Sequence, residues 1–330
     1  MVLMSNAAHA GKGVLIPVAP FPGATSTSVF DIGDDNKTIV GSYVDSDGVT
    51  HAFVGTLGGE YTSFDFGSGG TQARAVDRQG QITGFSNVTS TDHCTLVEWE
   101  RSPSGVMHLI KDGRKPLNGI AQGFNKFGFF AGDYCAKDGT VQGYYGVKRK
   151  LKFPDPVPFE TDYTSQRGIN SKFETAGFFV DPDTELQVGF ISAGGGTGQL
   201  TYPDPNEVST VLEGINESDL TSGQWTDTSG IIHGFSYGFE TDIYTQIDDP
   251  NATSYTQAWG VNKSGLIAIS SDAGSYIYCS LKPSKCPSGG TEIETREIRG
   301  PGPFSPKRGG PGNHARPAHV MPFPRGAALQ

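Results

Sequence analysis

Two arginines and a glutamate recur at one slot of a repeated pattern in this 330-residue chain, and they are its most chemically capable set. Arg74, Arg167 and Glu213 each stand two residues before the apolar residue that leads into a turn. Gln122 and Trp259 hold the same slot in other copies. Phe30 holds it in the first copy if Ile32 is the apolar position there, which needs a one-residue insertion. The flanking residues are small: Ala73, Ala75, Gly123, Gly168, Gly214, Ala258 and Gly260. The pattern is thus regular where backbones must pack and variable at the slot, as a ring of binding residues would be. Two guanidinium groups and a carboxylate could bind a carboxylate, a sulfate or a sugar, with Trp259 as a stacking surface. Alternatively, these side chains pair with one another or with water inside a filled channel.

Other motifs carry less chemistry. Gly234-Phe-Ser236-Tyr-Gly238 matches G-x-S-x-G, which exposes its serine only on a sharp strand-to-helix turn. The motif lies within a strand pattern with no helix after it, so no nucleophile is expected at Ser236. Gly194 to Gly198 lacks the lysine and helix of a phosphate loop and reads as a turn. His51 and His233 occupy one shared repeat position, where a structural hydrogen bond is expected rather than a metal. Asp45-Ser-Asp47-Gly48, Asp138-Gly139 and Asp181-Pro-Asp183 look like partial calcium loops, yet no bidentate glutamate follows. Asp-Gly is also hairpin chemistry. No metal or cofactor is expected, with calcium the one cation these turns leave open, and no catalytic residue is assigned.

The elements that must position the slot come from an internal repeat. Gly41, Gly84, Gly132, Gly177 and Gly223, with Ile269 in the last copy, align at spacings of 43, 48, 45, 46 and 46 residues. An aromatic follows each glycine within two residues. Seven residues before the aligned position stands Asp77, Asn125, Asn170, Asn216 or Asn262, where an Asx side chain can bond its own turn. A third strand follows at His51-Ala-Phe53, Cys94-Thr-Leu96, Gln142-Gly-Tyr144, Val188-Gly-Phe190 and His233-Gly-Phe235. A fourth follows at Tyr61 to Phe66, Leu151 to Pro154, Leu200 to Pro203 and Ile243 to Asp248. Four short strands per unit of about 45 residues predict an all-β, six-bladed β-propeller with four-stranded blades. The last copy lacks a fourth strand, and Val14 to Phe21 is an unpaired strand that would close the ring.

Composition sets limits. Apolar residues make up 35% of the chain, with 46 Gly and 21 Pro, which suits half-buried strands and many turns. A net charge of -10 argues against a nucleic-acid partner. No apolar run is long enough to span a membrane as a helix. The even set Cys94, Cys135, Cys279 and Cys286 fits two disulfides in an oxidising compartment, with three connectivities open. Ala8-His9-Ala10 reads as an A-x-A cleavage site, so 1–13 is expected to be a truncated leader, 14–290 the propeller and 291–330 a disordered Gly/Pro/Arg-rich tail.

The G-I-N turns, the glycine-aromatic strands and His51-Ala52-Phe53 with His233-Gly234-Phe235 together resemble the bacterial "HAF" extracellular repeat family over about residues 14 to 285. Units two, three and four depart at the histidine, and unit six is hard to align there. The resemblance implies a secreted, cell-surface or periplasmic protein with propeller-like repeats, and no established activity. Three functions follow as expectations. The first is a monomeric binding module for a small polar molecule or polysaccharide at the channel mouth. The second is a hydrolase or lyase whose site converges from several blades, with Glu213 as acid or base. The third is a cell-surface protein-interaction scaffold.

Overall fold

The computed structural model describes residues 9–300 except 114, 148–149, 153–160, 195 and 281–284. Among these, the long regular elements are all strands, and a short 3₁₀ turn lies at His93–Thr95. The chain is all-β. Four sheets hold four antiparallel strands each, in chain order. They begin at Ser26–Ile32, Thr71–Val76, Gly119–Phe124 and Thr164–Ile169, which are the lead strands of units one to four. Units five and six begin at Glu207–Ile215 and Thr256–Val261 and join into one nine-stranded sheet.

The repeated glycine has a steric cause. It sits in the second strand, between the lead strand and an aromatic on the third. A Cβ on Gly84 would stand 2.0 Å from the carbonyl oxygen of Gln72 and 2.8 Å from the Trp99 ring. One on Gly177 would meet the Ser165 carbonyl at 2.0 Å and Phe190 at 3.1 Å. The aromatic of the third strand therefore packs onto bare backbone, which is why the two motifs occur together. The core is formed between neighbouring units. Val40 and Ala52 of unit one, for example, pack with Ala73, Val76, Ile82 and Trp99 of unit two.

The Ile-Asn turn links units as well as closing its own hairpin. Asn125 Oδ1 accepts from the N–H groups of Phe127 and Phe129, both at 3.0 Å. Its Nδ2 donates to the Asn170 carbonyl of the next unit at 3.1 Å. Asn170 donates likewise to Asn216 at 3.1 Å, and Asn216 to Asn262 at 2.9 Å. Asn262 reaches the Gly33 carbonyl of unit one at 3.0 Å. Asp31 then accepts from Val76 N of unit two at 2.9 Å, and Gln79 Nε2 donates to Lys126 O of unit three at 3.3 Å. The links run through all six units and return to the start.

Several expectations are corrected. His9–Pro17 is one strand, pairing with Gly274–Cys279 from Val14↔Cys279 to Pro17↔Tyr276 as the fourth strand of the last unit. Residues 9–13, assigned above to a leader, are its first half and pair with a second newcomer, Thr291–Arg299. That newcomer begins the segment expected to be a disordered tail. It buries Ile293, Thr295 and Ile298 and also pairs with Ile243–Ile247, bridging the outer edges of units five and six. Its alternating pattern was masked by the Gly/Pro/Arg composition that follows. Residues 1–8 and 301–330 lie outside the described residues. In unit two, Cys94-Thr-Leu96 belongs to the 3₁₀ turn and its exit, and the third strand is Val97–Arg101. Gly196–Leu200 is a strand, so only the start of the Gly194–Gly198 stretch is turn. The disulfides are Cys94–Cys135, joining units two and three, and Cys279–Cys286.

Candidate ligand-binding site

A bulge re-aims every slot residue. In each lead strand the ladder skips one position: between Val29 and Asp31, Ala73 and Ala75, Ala121 and Gly123, Gln166 and Gly168, and Leu212 and Gly214. In unit six it skips from Ala258 to Val261. The skipped residues are Phe30, Arg74, Gln122, Arg167 and Glu213, with Trp259 and Gly260. Such an unpaired residue turns out of the sheet's alternation. All six side chains named from the sequence line one cavity of about 50 Å³, together with Asp31, Phe124, Ile169, Ile215 and Val261. These apolar residues directly precede the linked turns, so the cavity lies at the turn end of the lead strands.

Arg74 dominates this space. It is 4% exposed, and its guanidinium lies 4.0 Å over the Phe30 ring and 4.9 Å over Trp259. Nη2 donates to Gln72 Oε1 at 2.8 Å. Nε and Nη1 have no hydrogen-bond partner among the described residues, and neither do Gln122 Nε2 and Trp259 Nε1. Burial, then the like charge of Arg167, push the Arg74 guanidinium below its ordinary range. Four buried nitrogen donors on three residues that line the cavity therefore lack an acceptor, an arrangement that costs free energy.

Arg167 is committed elsewhere. Its Nη1 meets Glu213 Oε2 at 3.2 Å and its Nε donates to Ser165 Oγ at 2.9 Å. Ser165 in turn donates to Asp133, which faces His93 at 2.7 Å. Burial works to lower Arg167, but Glu213 and Asp133 outweigh it and hold the cation. Burial raises Glu213 against the pull of Arg167 and Arg74. Asp31 is pushed up to about 7 by burial, yet its two oxygens accept from Ile32 N and Val76 N. That leaves Asp31 holding strands together and Glu213 holding Arg167.

Trp259 departs from its expected role. Its ring stands edge-on to Phe30 at 5.0 Å and 82°, is covered by Arg74 and is 7% exposed, so it offers no free stacking face. The cavity is far below the roughly 300–1,000 Å³ of a small-molecule pocket. A space of about 50 Å³ matches a single small polar group in size.

The remaining candidates are structural. His51 bridges Asp65 at 2.9 Å and Asp45 at 3.2 Å, and His233 bridges Asp248 at 3.0 Å and Asp227 at 3.6 Å. The shared position thus makes the same Asp-His-Asp clamp in units one and five. Asp45 Oδ1 accepts from Asp47 N and Val49 N, Asp138 from Thr140 N, and Asp181 from Asp183 N and Thr184 N, so these acids close turns. No group of three His, Cys, Asp or Glu side chains suited to a metal occurs among the described residues. Ser236 is buried inside the strand Ile232–Gly238. A second cavity of about 340 Å³, lined by His9, Gln246, Asp248, Glu294 and Arg296, lies where the C-terminal strand meets unit five. It was missed because nothing local in the chain brings 291–299 there.

No family model matches the chain, and no curated protein matches it either. Among solved structures it is similar to TolB from Acinetobacter baumannii, at 12% identity and a TM-score of 0.48 over 81% of this chain. The chain spans 63% of that TolB chain. It is also similar to AofleA from Arthrobotrys oligospora, at 13% identity and TM-score 0.44 over 89% of this chain and 93% of that one. The Aleuria aurantia lectin in complex with Fucα1-6GlcNAc matches at 10% identity and TM-score 0.48 over 83% and 96%. No helix among the described residues is long and apolar enough to cross a membrane.

Proposed function

We propose that this chain is a six-bladed propeller of the HAF-repeat kind, secreted or held at the cell surface, that works as a binding module for a carboxylate-bearing polar ligand. The nine-stranded sheet is read as two four-stranded blades bridged by Thr291–Arg299. The observation that carries the functional reading is Arg74: a buried guanidinium without an acid of its own, with Nε and Nη1 unpartnered beside two further unpartnered donors. Charge and donors ask for an acceptor, and the size of the cavity restricts it to a group such as a carboxylate. The other arginine does not compete, because Glu213 already neutralises it. Two disulfides support an oxidising compartment.

Calorimetric titration of the full chain tests this. D-Galacturonate is expected to bind and its neutral counterpart, methyl galactoside, is not. Arg74→Met is expected to abolish the acid's binding. Equal binding of both sugars, or undiminished binding of the acid by Arg74→Met, contradicts the proposal.

A further inference from the structure

We propose that Phe127 and Phe173 form a platform on the channel rim for the sugar rings of an acidic oligosaccharide whose carboxylate enters at Arg74. This rests on the channel-mouth reading above.

The first support is backbone cost. The third residue after the linking Asn, Asp or Gly has positive φ in every unit: Asn36 (60°), Gly80 (81°), Gly128 (77°), Phe173 (63°), Asp219 (60°) and Gly265 (80°). Five units use the residue types that tolerate this region. Unit four places a phenylalanine there. A bulky residue in the left-handed region is an outlier, and such strain clusters at ligand-contacting positions.

The second support is exposure. Phe173 is 45% exposed and Phe127 of the neighbouring turn is 57% exposed. Their rings lie at 6.3 Å with 20° between planes, and Phe129 supports Phe173 edge-on at 4.8 Å. Lys126 Nζ stands 5.1 Å from the Phe127 ring centre. The rings are nearly parallel, sit on adjacent turns, and Phe173 is backed by Phe129.

The third support is place and charge. Phe124 and Ile169 line the Arg74 cavity, and the turns that carry the two rings begin at the next residue. Arg78 and Lys126 are exposed on the turns of units two and three. Units one and five carry Asp34, Glu217 and Asp219 at this level, with Lys263 and Lys172 paired to Asp34 and Asp219. Unit five's acids reach the turn of Phe173, Glu217 accepting from Ser171 N and Oγ and Asp219 from Lys172 Nζ, so an anionic ligand is led to the side of units two and three, where Phe127 stands. The cavity holds a carboxylate while the sugar rings stay outside on the aromatics.

The test uses the full chain, trigalacturonate, galacturonate and maltotriose. Phe127→Ser with Phe173→Gly is expected to weaken trigalacturonate binding by roughly tenfold while galacturonate affinity stays within about twofold. Phe173→Gly alone should melt no lower than wild type, since glycine accepts φ of 63° freely. Arg74→Met should lose both acids. Unchanged trigalacturonate affinity in the double variant, with Arg74 still required, overturns the platform and leaves the mouth reading intact. Failure of wild type to bind either acid overturns both. Binding of maltotriose as tight as trigalacturonate, or capture of poly-glutamate through the same rings in its place, also overturns the assignment.

Discussion

Asn262 Nδ2 donates to the Gly33 carbonyl at 3.0 Å, joining residues 229 apart in the chain. The same nitrogen lies 2.8 Å from Asn36 Oδ1, and the Oδ1 of Asn262 accepts from Ser264 N and Leu266 N. One side chain thus closes its own turn and locks the last unit to the first. Asn262→Ala leaves a carbonyl and two N–H groups without these partners. The expected loss is roughly 1–3 kcal/mol, read as a lower urea midpoint. Asn262→Asp keeps the acceptor and loses the donor, and should fall between the two.

Arg74 shapes the site at the expense of the fold. Arg74→Met fills similar volume between Phe30 and Trp259 without a buried charge. Replacing poorly paired buried charges with apolar groups is often neutral or stabilising. Thermal unfolding should show Arg74→Met at or above the wild-type midpoint, even as it loses the ligand. A large drop would mean that the bond from Arg74 Nη2 to Gln72 Oε1 holds the fold together more than the buried charge strains it.

The two histidine clamps make stability depend on pH. Burial disfavours charged His51, but Asp65 and Asp45 outweigh it and raise its pKa; Asp248 and Asp227 do the same for His233. A raised folded value means the charged rings stabilise fully below the unfolded value of 6.5 and lose this as pH rises through the folded value. Denaturation midpoints should therefore decline on going above about pH 6.5. The decline should flatten in the double variant His51→Gln, His233→Gln.

The disulfides should differ in weight. Cys94–Cys135 spans 41 residues and joins two units, whereas Cys279–Cys286 spans 7. Loop-closure entropy assigns about 4 kcal/mol to the first and about 2 kcal/mol to the second. Serine pairs at each site, compared by urea unfolding, should keep that order.

The C-terminal strand should be part of the folded unit. Ile298 is 2% exposed and packs with Tyr244, Tyr237 and Trp225. Ile298→Ala is expected to cost about 2–5 kcal/mol in urea unfolding. A cost near zero would show that this strand is dispensable.

The repeat was legible because its constraints are local and sixfold. A glycine beneath an aromatic and an Asn that closes its turn recur at fixed offsets, so the slot residues are identifiable from the sequence. The bulge that turns Arg74 out of its ladder was not legible, because an unpaired position has no residue type of its own. Nor was the pairing of Arg167 with Glu213 and not with Arg74, since the three share one slot and differ only in which unit neighbours which. Trp259 looked like a platform because its type is visible in sequence and the guanidinium covering it is not. Thr291–Arg299 was missed because its two partners, His9–Pro17 and Ile243–Ile247, lie far away in sequence and nothing local demands them. Phe173 was missed because the positive φ that makes a phenylalanine costly there is a property of the backbone.

The central claim is that Arg74 takes the acidic group of a ligand, and a crystal structure of the chain grown with galacturonate tests it most directly. The account predicts a carboxylate oxygen within about 2.7–3.2 Å of Arg74 Nε or Nη1, with the sugar ring outside the cavity on the side of units three and four. Galacturonate bound elsewhere, with Arg74 contacted only by water, would contradict it.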